Sequence, residues 1–185
     1  MEQLINLIHK LLPEVEVSEA MLAPYFLHQE LAKGEELLHL GQLCRSYFFV
    51  SKGLLRVYFL NDGEEYTSFF AFEDYFFTEI ESFLSAKGSN FSIVATENSD
   101  ILLIDRDNLS LLSEKYPFWN TFLLKIHEQT QLHLIEAIHS FQIASAKERY
   151  EQLFAYPRYL QRVKQKDLST MLGITEHTLS RLRKK

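Results

Sequence analysis

Residues 164–185, KQKDLSTMLGITEHTLSRLRKK, narrow what this chain can fold into more than any other stretch. Leu168, Met171 and Leu172 recur at helical spacing and give 165–172 one inward face. Gly173 follows, where a sharp turn needs a residue that tolerates positive φ. Ile174 plugs the gap between two helices, and the Thr175 hydroxyl is placed to cap the second by accepting from an orphan amide. That second helix, 176–184, buries Leu179 and Leu182 and turns Glu176, His177, Thr178, Ser180, Arg181, Arg183 and Lys184 outward.

This is the pattern of a helix-turn-helix, whose steep crossing lets the second helix enter a DNA major groove. Arg181 offers a fork of donors to guanine, and Glu176 can accept from a cytosine amine. Lys164, Lys166, Thr175, Thr178, Arg183, Lys184 and Lys185 suit phosphate contacts, which position a helix without reading sequence. The plain alternative is a capped surface hairpin whose basic end is only solvated.

A net charge of −6 is at odds with a DNA partner until it is divided along the chain. Residues 141–185 hold ten Lys/Arg against four Asp/Glu, and residues 1–140 hold nine against twenty-one. The first part is repelled by a polyanion and the second drawn to it. The one cysteine, Cys44, excludes an internal disulfide and fits a reducing compartment. No apolar run is long enough to span a membrane, and the N-terminus has neither a basic start nor a cleavage signature, so a cytoplasmic location without membrane contact is expected.

Taken in order, 2–12 is an amphipathic helix ended by Pro13, and Ser18 is placed to cap a second, interrupted near Pro24. From about 30 to 104, runs rich in Val, Leu, Phe and Tyr alternate with turn signals, which implies a small sandwich or barrel. Its clearest hairpin is LLRVYFL–NDG–EEYTSFF. A short helix over 108–116 precedes a long one from Phe118 or Trp119 to about Phe141. The stripe of that long helix runs through Trp119, Phe122, Leu123, Ile126, Thr130, His133 or Leu134, Ala137, Ile138 and Phe141. A two-fold copy packed on this stripe would set two recognition helices about one DNA turn apart, roughly 34 Å. Residues 140–145 are the expected hinge. Ser145 is expected to cap a further helix that turns Tyr150, Leu153 and Phe154 inward and stops at Pro157.

No nucleophile–base pair, metal motif or glycine-rich nucleotide loop is present, so an enzyme is not expected. His127, His133 and His139 stand six apart, which does not place neighbours on one helix face, and no metal site follows from them. Phe70, Phe72 and Phe77, with Glu79, Lys87, Ser89 and Asn90, are the candidate lining of an effector pocket; the plainer reading makes the phenylalanines core.

With this order of elements the chain resembles the Crp-Fnr superfamily of bacterial transcription regulators. The resemblance rests on Lys52-Gly53-Leu54-Leu55-Arg56-Val57-Tyr58, on Ser145-Ala146-Lys147-Glu148-Arg149-Tyr150, and on Leu172-Gly173-Ile174-Thr175 with Thr178-Leu179-Ser180-Arg181. The aromatic stretch 69–83 looks like the Bacteroidetes-type branch. The resemblance implies an α+β chain: a double-stranded β-helix or jelly-roll barrel in 1–116, a dimerisation helix in 117–141 and a helix-turn-helix domain in 142–185.

The resemblance further implies that Glu176, His177 and Arg181 read bases and that Lys166, Thr175 and Thr178 meet phosphates. Trp119, Phe122, Leu123, Ile126, Thr130, His133 and Ala137 would form the dimer face. The implied function is a homodimeric DNA-binding transcription regulator that recognises an inverted repeat, with RNA polymerase as a further candidate partner. The alternative is a signalling module that acts on a protein partner and keeps a vestigial helix-turn-helix.

Relatives that bind cyclic AMP hold its phosphate with an arginine. Here Lys87 is the one cation between Glu73 and Ala95, beside Asp74, Glu79 and Glu81, so cyclic AMP is not expected to bind in the family manner. No motif calls for a cofactor, and an unidentified small-molecule effector is the ligand the barrel leaves open. Many relatives also carry a β-hairpin wing after the recognition helix, for which the residues up to Lys185 have no counterpart.

Overall fold

The computed structural model describes residues 1–183. Lys184 and Lys185, two of the expected phosphate contacts, lie outside the described residues. Helices α1 (Glu2–Leu11) and α2 (Glu19–Leu22) lead into strands β1 (Leu27–Leu31), β2 (Glu36–Leu38), β3 (Ser46–Lys52), β4 (Leu55–Asn61), β5 (Glu64–Ala71) and β6 (Phe76–Phe77). Helix α3 (Ile80–Ser85) separates these from β7 (Ser92–Ala95) and β8 (Ser99–Asp105). Then follow α4 (Arg106–Lys115), α5 (Phe118–Ile143), α6 (Ala146–Gln152), α7 (Pro157–Arg162), α8 (Gln165–Met171) and α9 (Glu176–Arg183).

The strands form two four-stranded sheets, ordered β1-β8-β3-β6 and β2-β7-β4-β5, which make the jelly-roll-like barrel expected for an α+β chain. β8 pairs antiparallel with both β1 and β3, with Leu27 opposite Leu103 and Phe48 opposite Leu103 on its other side. By internal contacts the chain divides into two compact units. One comprises residues 1–57 with 70–128, the other 58–69 with the residues from 129 onward. These limits differ from the boundaries expected after 116 and 141. Helix α5 supplies 118–128 to the first unit and 129–143 to the second, and the turn end of the β4–β5 hairpin groups with the C-terminal helices.

Strand β3 explains how the first unit is layered. Its Tyr47, Phe48, Phe49 and Val50 are all buried, because both faces of the strand are covered. Tyr47 and Phe49 join a cluster with Leu4 and Ile8 of α1 and Trp119, Phe122 and Ile126 of α5, whereas Phe48 meets Phe77 at 5.7 Å. The cluster is aromatic at its centre. Trp119 and Phe122 lie 4.8 Å apart, and Phe76 stands edge-on to both at 5.9 and 5.5 Å. Gly53, at φ +95°, sits where an added Cβ would fall 2.7 Å from the Ser99 backbone, so the Lys52-Gly53 turn requires glycine.

This packing corrects part of the expected dimer face. Trp119 and Phe122 have no solvent exposure and Ile126 has 8%, so all three belong to their own chain's core. Leu123 packs against the same cluster. Thr130, His133 and Ala137 continue that helix face beyond the core. Three smaller expectations also change. Ser18 precedes α2 without a side-chain capping bond. α6 ends before Pro157, and that proline opens the additional helix α7. Phe154, expected inside, is 56% exposed, while Tyr150 and Leu153 are buried.

Phe122→Ala should cost roughly 3–5 kcal/mol of stability, as buried aromatics do. Denaturant unfolding should show that loss equally at dilute and concentrated protein. A loss confined to concentrations where chains associate would return Phe122 to the interface.

Candidate nucleic-acid interface

Helices α8 and α9 are joined by a turn whose hydrogen bonds follow from one glycine. Gly173, at φ +66°, lets its N–H donate to the Thr170 carbonyl at 3.2 Å and the Ile174 N–H to the Ser169 carbonyl at 3.0 Å. This paired closure satisfies the last carbonyls of α8. Thr175 then caps α9 as expected, accepting from the Thr178 N–H at 3.1 Å. Leu168, Leu172 and Leu179 are buried between the helices. Gln165 ties the two helices again by donating to the Glu176 carbonyl at 3.2 Å.

Burying Leu179 fixes which face of α9 is free. At about 100° per residue, Glu176, His177 and Arg181 fall within an arc of roughly 140°, centred away from Leu179 and Leu182. All three are exposed. Lys164 and Lys166 are exposed at the start of α8, Thr175 is exposed at the cap of α9, and Arg183 is exposed at its end. Thr178 is half-buried, its hydroxyl 3.0 Å from that of Thr175. The structure thus presents three base-reading candidates on one helix face with cationic and hydroxyl groups around them. That is the chemistry of a groove reader flanked by phosphate contacts.

Arg149 holds this motif and was given no role from the sequence. Its Nε donates to the Leu172 carbonyl at 3.2 Å and its Nη1 to the Ala144 carbonyl at 2.7 Å. The guanidinium also lies over the Phe141 ring at 5.0 Å. A Cβ on Gly173 would come 3.3 Å from that same ring. One cation therefore links the end of α5 to the turn of the helix-turn-helix. Its only sequence signal was its place in the Ser145–Tyr150 motif.

Helix α6, which carries Arg149, opens with a reciprocal cap. Ser145 accepts from the Glu148 N–H at 3.3 Å, and the Glu148 carboxylate accepts from the Ser145 N–H at 2.7 Å. That backbone bond, with the Ser145 side chain second, lowers the Glu148 pKa below its ordinary value of 4.5.

The candidate effector residues all lie in the first unit. Phe70, Phe72 and Phe77 are buried as core. Glu79 is buried, at 8% exposure, and its carboxylate caps α3 by accepting from the N–H groups of Glu81 and Ser82 at 3.1 and 3.0 Å. Ser89 is buried and bonded to its own loop at Phe91, while Lys87 and Asn90 are exposed. A carboxylate of the chain itself therefore occupies the first free amides of α3. Among the described residues no cluster of His, Cys, Asp and Glu is placed to hold a metal ion, and no helix is long and apolar enough to cross a membrane.

The sequence over residues 28–116 matches the family described as the cyclic nucleotide-binding domain. Residues 28–116 therefore form a cyclic nucleotide-binding domain, and the chain as a whole shares its fold with the solved structures that follow. A CooA variant from Carboxydothermus hydrogenoformans superposes with a TM-score of 0.72 at 20% identity, covering 96% of this chain and 82% of that one. FixK2 from Bradyrhizobium japonicum gives 0.72 at 18% identity over 86% of this chain and 83% of its own. CLP, a c-di-GMP responsive global regulator from Xanthomonas campestris, gives 0.72 at 13% identity over 89% and 88%. No curated protein is significantly similar to the chain in sequence. The likeness covers both the barrel and the helices after it, and at these identities it establishes fold alone.

The direction of the Glu148 shift sets a pH dependence. A carboxyl whose folded pKa is depressed adds stability that is complete above the unfolded value and disappears as pH falls through the folded one. Stability of the helix-turn-helix unit should therefore fall as pH drops below about 4.5, and Glu148→Gln should flatten that fall. Hydrogen exchange at the α6 amides, followed across this range, reads it directly; an unchanged acid limb in the variant would remove Glu148 from the cap.

Proposed function

We propose that this chain is a DNA-binding transcription regulator that acts as a homodimer on an inverted repeat. The observation that carries the reading is the exposed face of α9, with Glu176, His177 and Arg181 side by side on a helix capped by Thr175. Lys164, Lys166, Thr178 and Arg183 supply the phosphate contacts around it. The charge division of the sequence supports the same surface, since the basic excess lies beyond residue 140.

The dimer seam in this reading shifts around α5 from the expected one. Leu124, His127, Gln131, Leu134, Ile138 and Phe141 are spaced alternately three and four apart, the a/d rhythm of a two-stranded coiled coil. Leu124, Leu134, Ile138 and Phe141 are each more than half exposed, at 56, 59, 54 and 53%. A second copy of the helix would cover them. Regulation in this reading is a shift between two crossings of the paired α5 helices, carried to the recognition helices through Arg149.

The test is selection of bound sequences from a random duplex pool by the full chain at a stated salt concentration. An inverted repeat with half-sites about one helical turn apart is expected, and an unenriched pool would count against specific recognition. Arg181→Ala should cost about 1–3 kcal/mol and relax one position per half-site. Lys166→Ala should weaken binding to all sequences and reduce the salt slope. Identical behaviour of the two variants would sink the division between reading and positioning. Ile138→Asp should yield monomers in sedimentation and lose the repeat.

The effector in this reading is not cyclic AMP. Calorimetric titration of the chain with cyclic AMP should give no saturable heat. Tight binding would show that the Glu79 cap yields to a phosphate.

A further inference from the structure

The turn end of the β4–β5 hairpin belongs to the same compact unit as the helix-turn-helix. Asp62 and Gly63 form its two-residue turn with φ of 52° and 82°, the left-handed pair that matches strand twist and holds a tight hairpin. Glu64 and Glu65 come directly after it and form one wall of a cleft of about 470 Å³. The opposite wall includes Lys166, Thr170, Thr175 and Glu176. The hairpin is anchored there by hydrogen bonds as well as by shape. The Thr67 N–H donates to Thr170 Oγ1 at 3.2 Å, and the two threonine hydroxyls are 3.0 Å apart. Thr67 is 5% exposed although its strand neighbours Tyr66 and Ser68 are exposed.

We propose that this hairpin is an autoinhibitory strap on the DNA-binding surface. The proposal rests on the reading that Lys166 and Thr175 meet phosphates. Both line the cleft, so a phosphate that reaches them must enter beside Glu64 and Glu65. Two carboxylates at a phosphate site oppose binding by like charge, most strongly at low salt, and the strand behind them takes up space the DNA backbone needs. Duplex DNA and the docked strap compete for one surface. By linkage, any event that lifts the strap raises DNA affinity by the same factor with which DNA lifts the strap.

The strap can be locked. Thr67→Cys with Thr170→Cys, in a Cys44→Ser background, places two sulfurs where the hydroxyls now lie, and they need close by only about 1 Å to bond. The full-length oxidised protein should bind a fluorescent duplex about tenfold more weakly than the same protein after reduction, a coupling of ordinary size. Independently, Glu64→Gln with Glu65→Gln should bind the duplex more tightly than Glu14→Gln with Glu16→Gln, which removes the same charge far along the sequence. Locked protein that binds as well as reduced protein, or a hairpin variant no tighter than its charge control, would overturn the strap. If wild type binds DNA and the lock changes nothing, only the strap is lost. If wild type and every variant leave the duplex free, the DNA-binding reading is lost with it.

Discussion

The burial of Trp119 and Phe122 sets the rotation of the α5 helix about its own axis. Both rings are without solvent exposure in the aromatic cluster around Phe76. A helix anchored at that density cannot turn without opening a cavity. At about 3.6 residues per turn the anchor determines which side chains face outward about three to six turns later. Leu134, Ile138 and Phe141 are what it leaves exposed. Three large apolar groups on one rising stripe form a patch of the kind that isolated chains avoid. In the proposed homodimer a two-fold partner would cover this stripe with its own copy, since a symmetric contact pairs a surface with itself.

At the other end of α5 a single guanidinium does comparable work. Arg149 is permanently charged and planar, so it can hold two carbonyls and one ring in fixed relation. Its partners are Ala144 and Phe141 at the end of α5, and Leu172 at the turn between α8 and α9. A displacement of Phe141 and Ala144 is thereby imposed on the turn, and with it on the cap at Thr175 and the first residues of the recognition helix. Lysine at 149 would keep the charge and lose the fork. In the proposed dimer this link would let a change in helix crossing become a change in where Glu176, His177 and Arg181 point.

Local rules made most of the fold and the recognition helix legible in the sequence. Gly173, Thr175 and Ser145 are signals read within a turn or two of the chain, and each formed the bonds expected of it. The failures are long-range. Periodicity showed that α5 has an apolar stripe, yet two stripes overlap on it, and only packing against Leu4, Ile8 and Phe76 shows that Trp119, Phe122 and Ile126 serve the core. Phe154 had helical spacing with Tyr150 and is nonetheless exposed, because the chain leaves α6 for a tighter turn at Leu153. The Thr67–Thr170 contact joins residues 103 apart in sequence, and no pattern of spacing announces such a pair. The effector residues were chosen by type, and type alone could not show that Glu79 was already committed to capping a helix.

That commitment bears on where control can enter. In a barrel whose α3 amides face open space, an anion gains two charge-assisted hydrogen bonds on arrival. Here those bonds are already made by Glu79, within the chain and at no cost in translational freedom. An incoming phosphate must break them, leave the carboxylate of a buried residue without its donors, and sit beside that charge. Each step disfavours an anionic ligand at the start of α3. If the chain is the regulator proposed above, the free energy that biases it comes from contacts outside that cap. The β4–β5 hairpin is suited to supply it, because β4 and β5 begin and end among first-unit residues while their turn rests on the helix-turn-helix. The threonine pair that holds it is worth about as much as one or two ordinary hydrogen bonds, so a single competing contact is of the right size to break it.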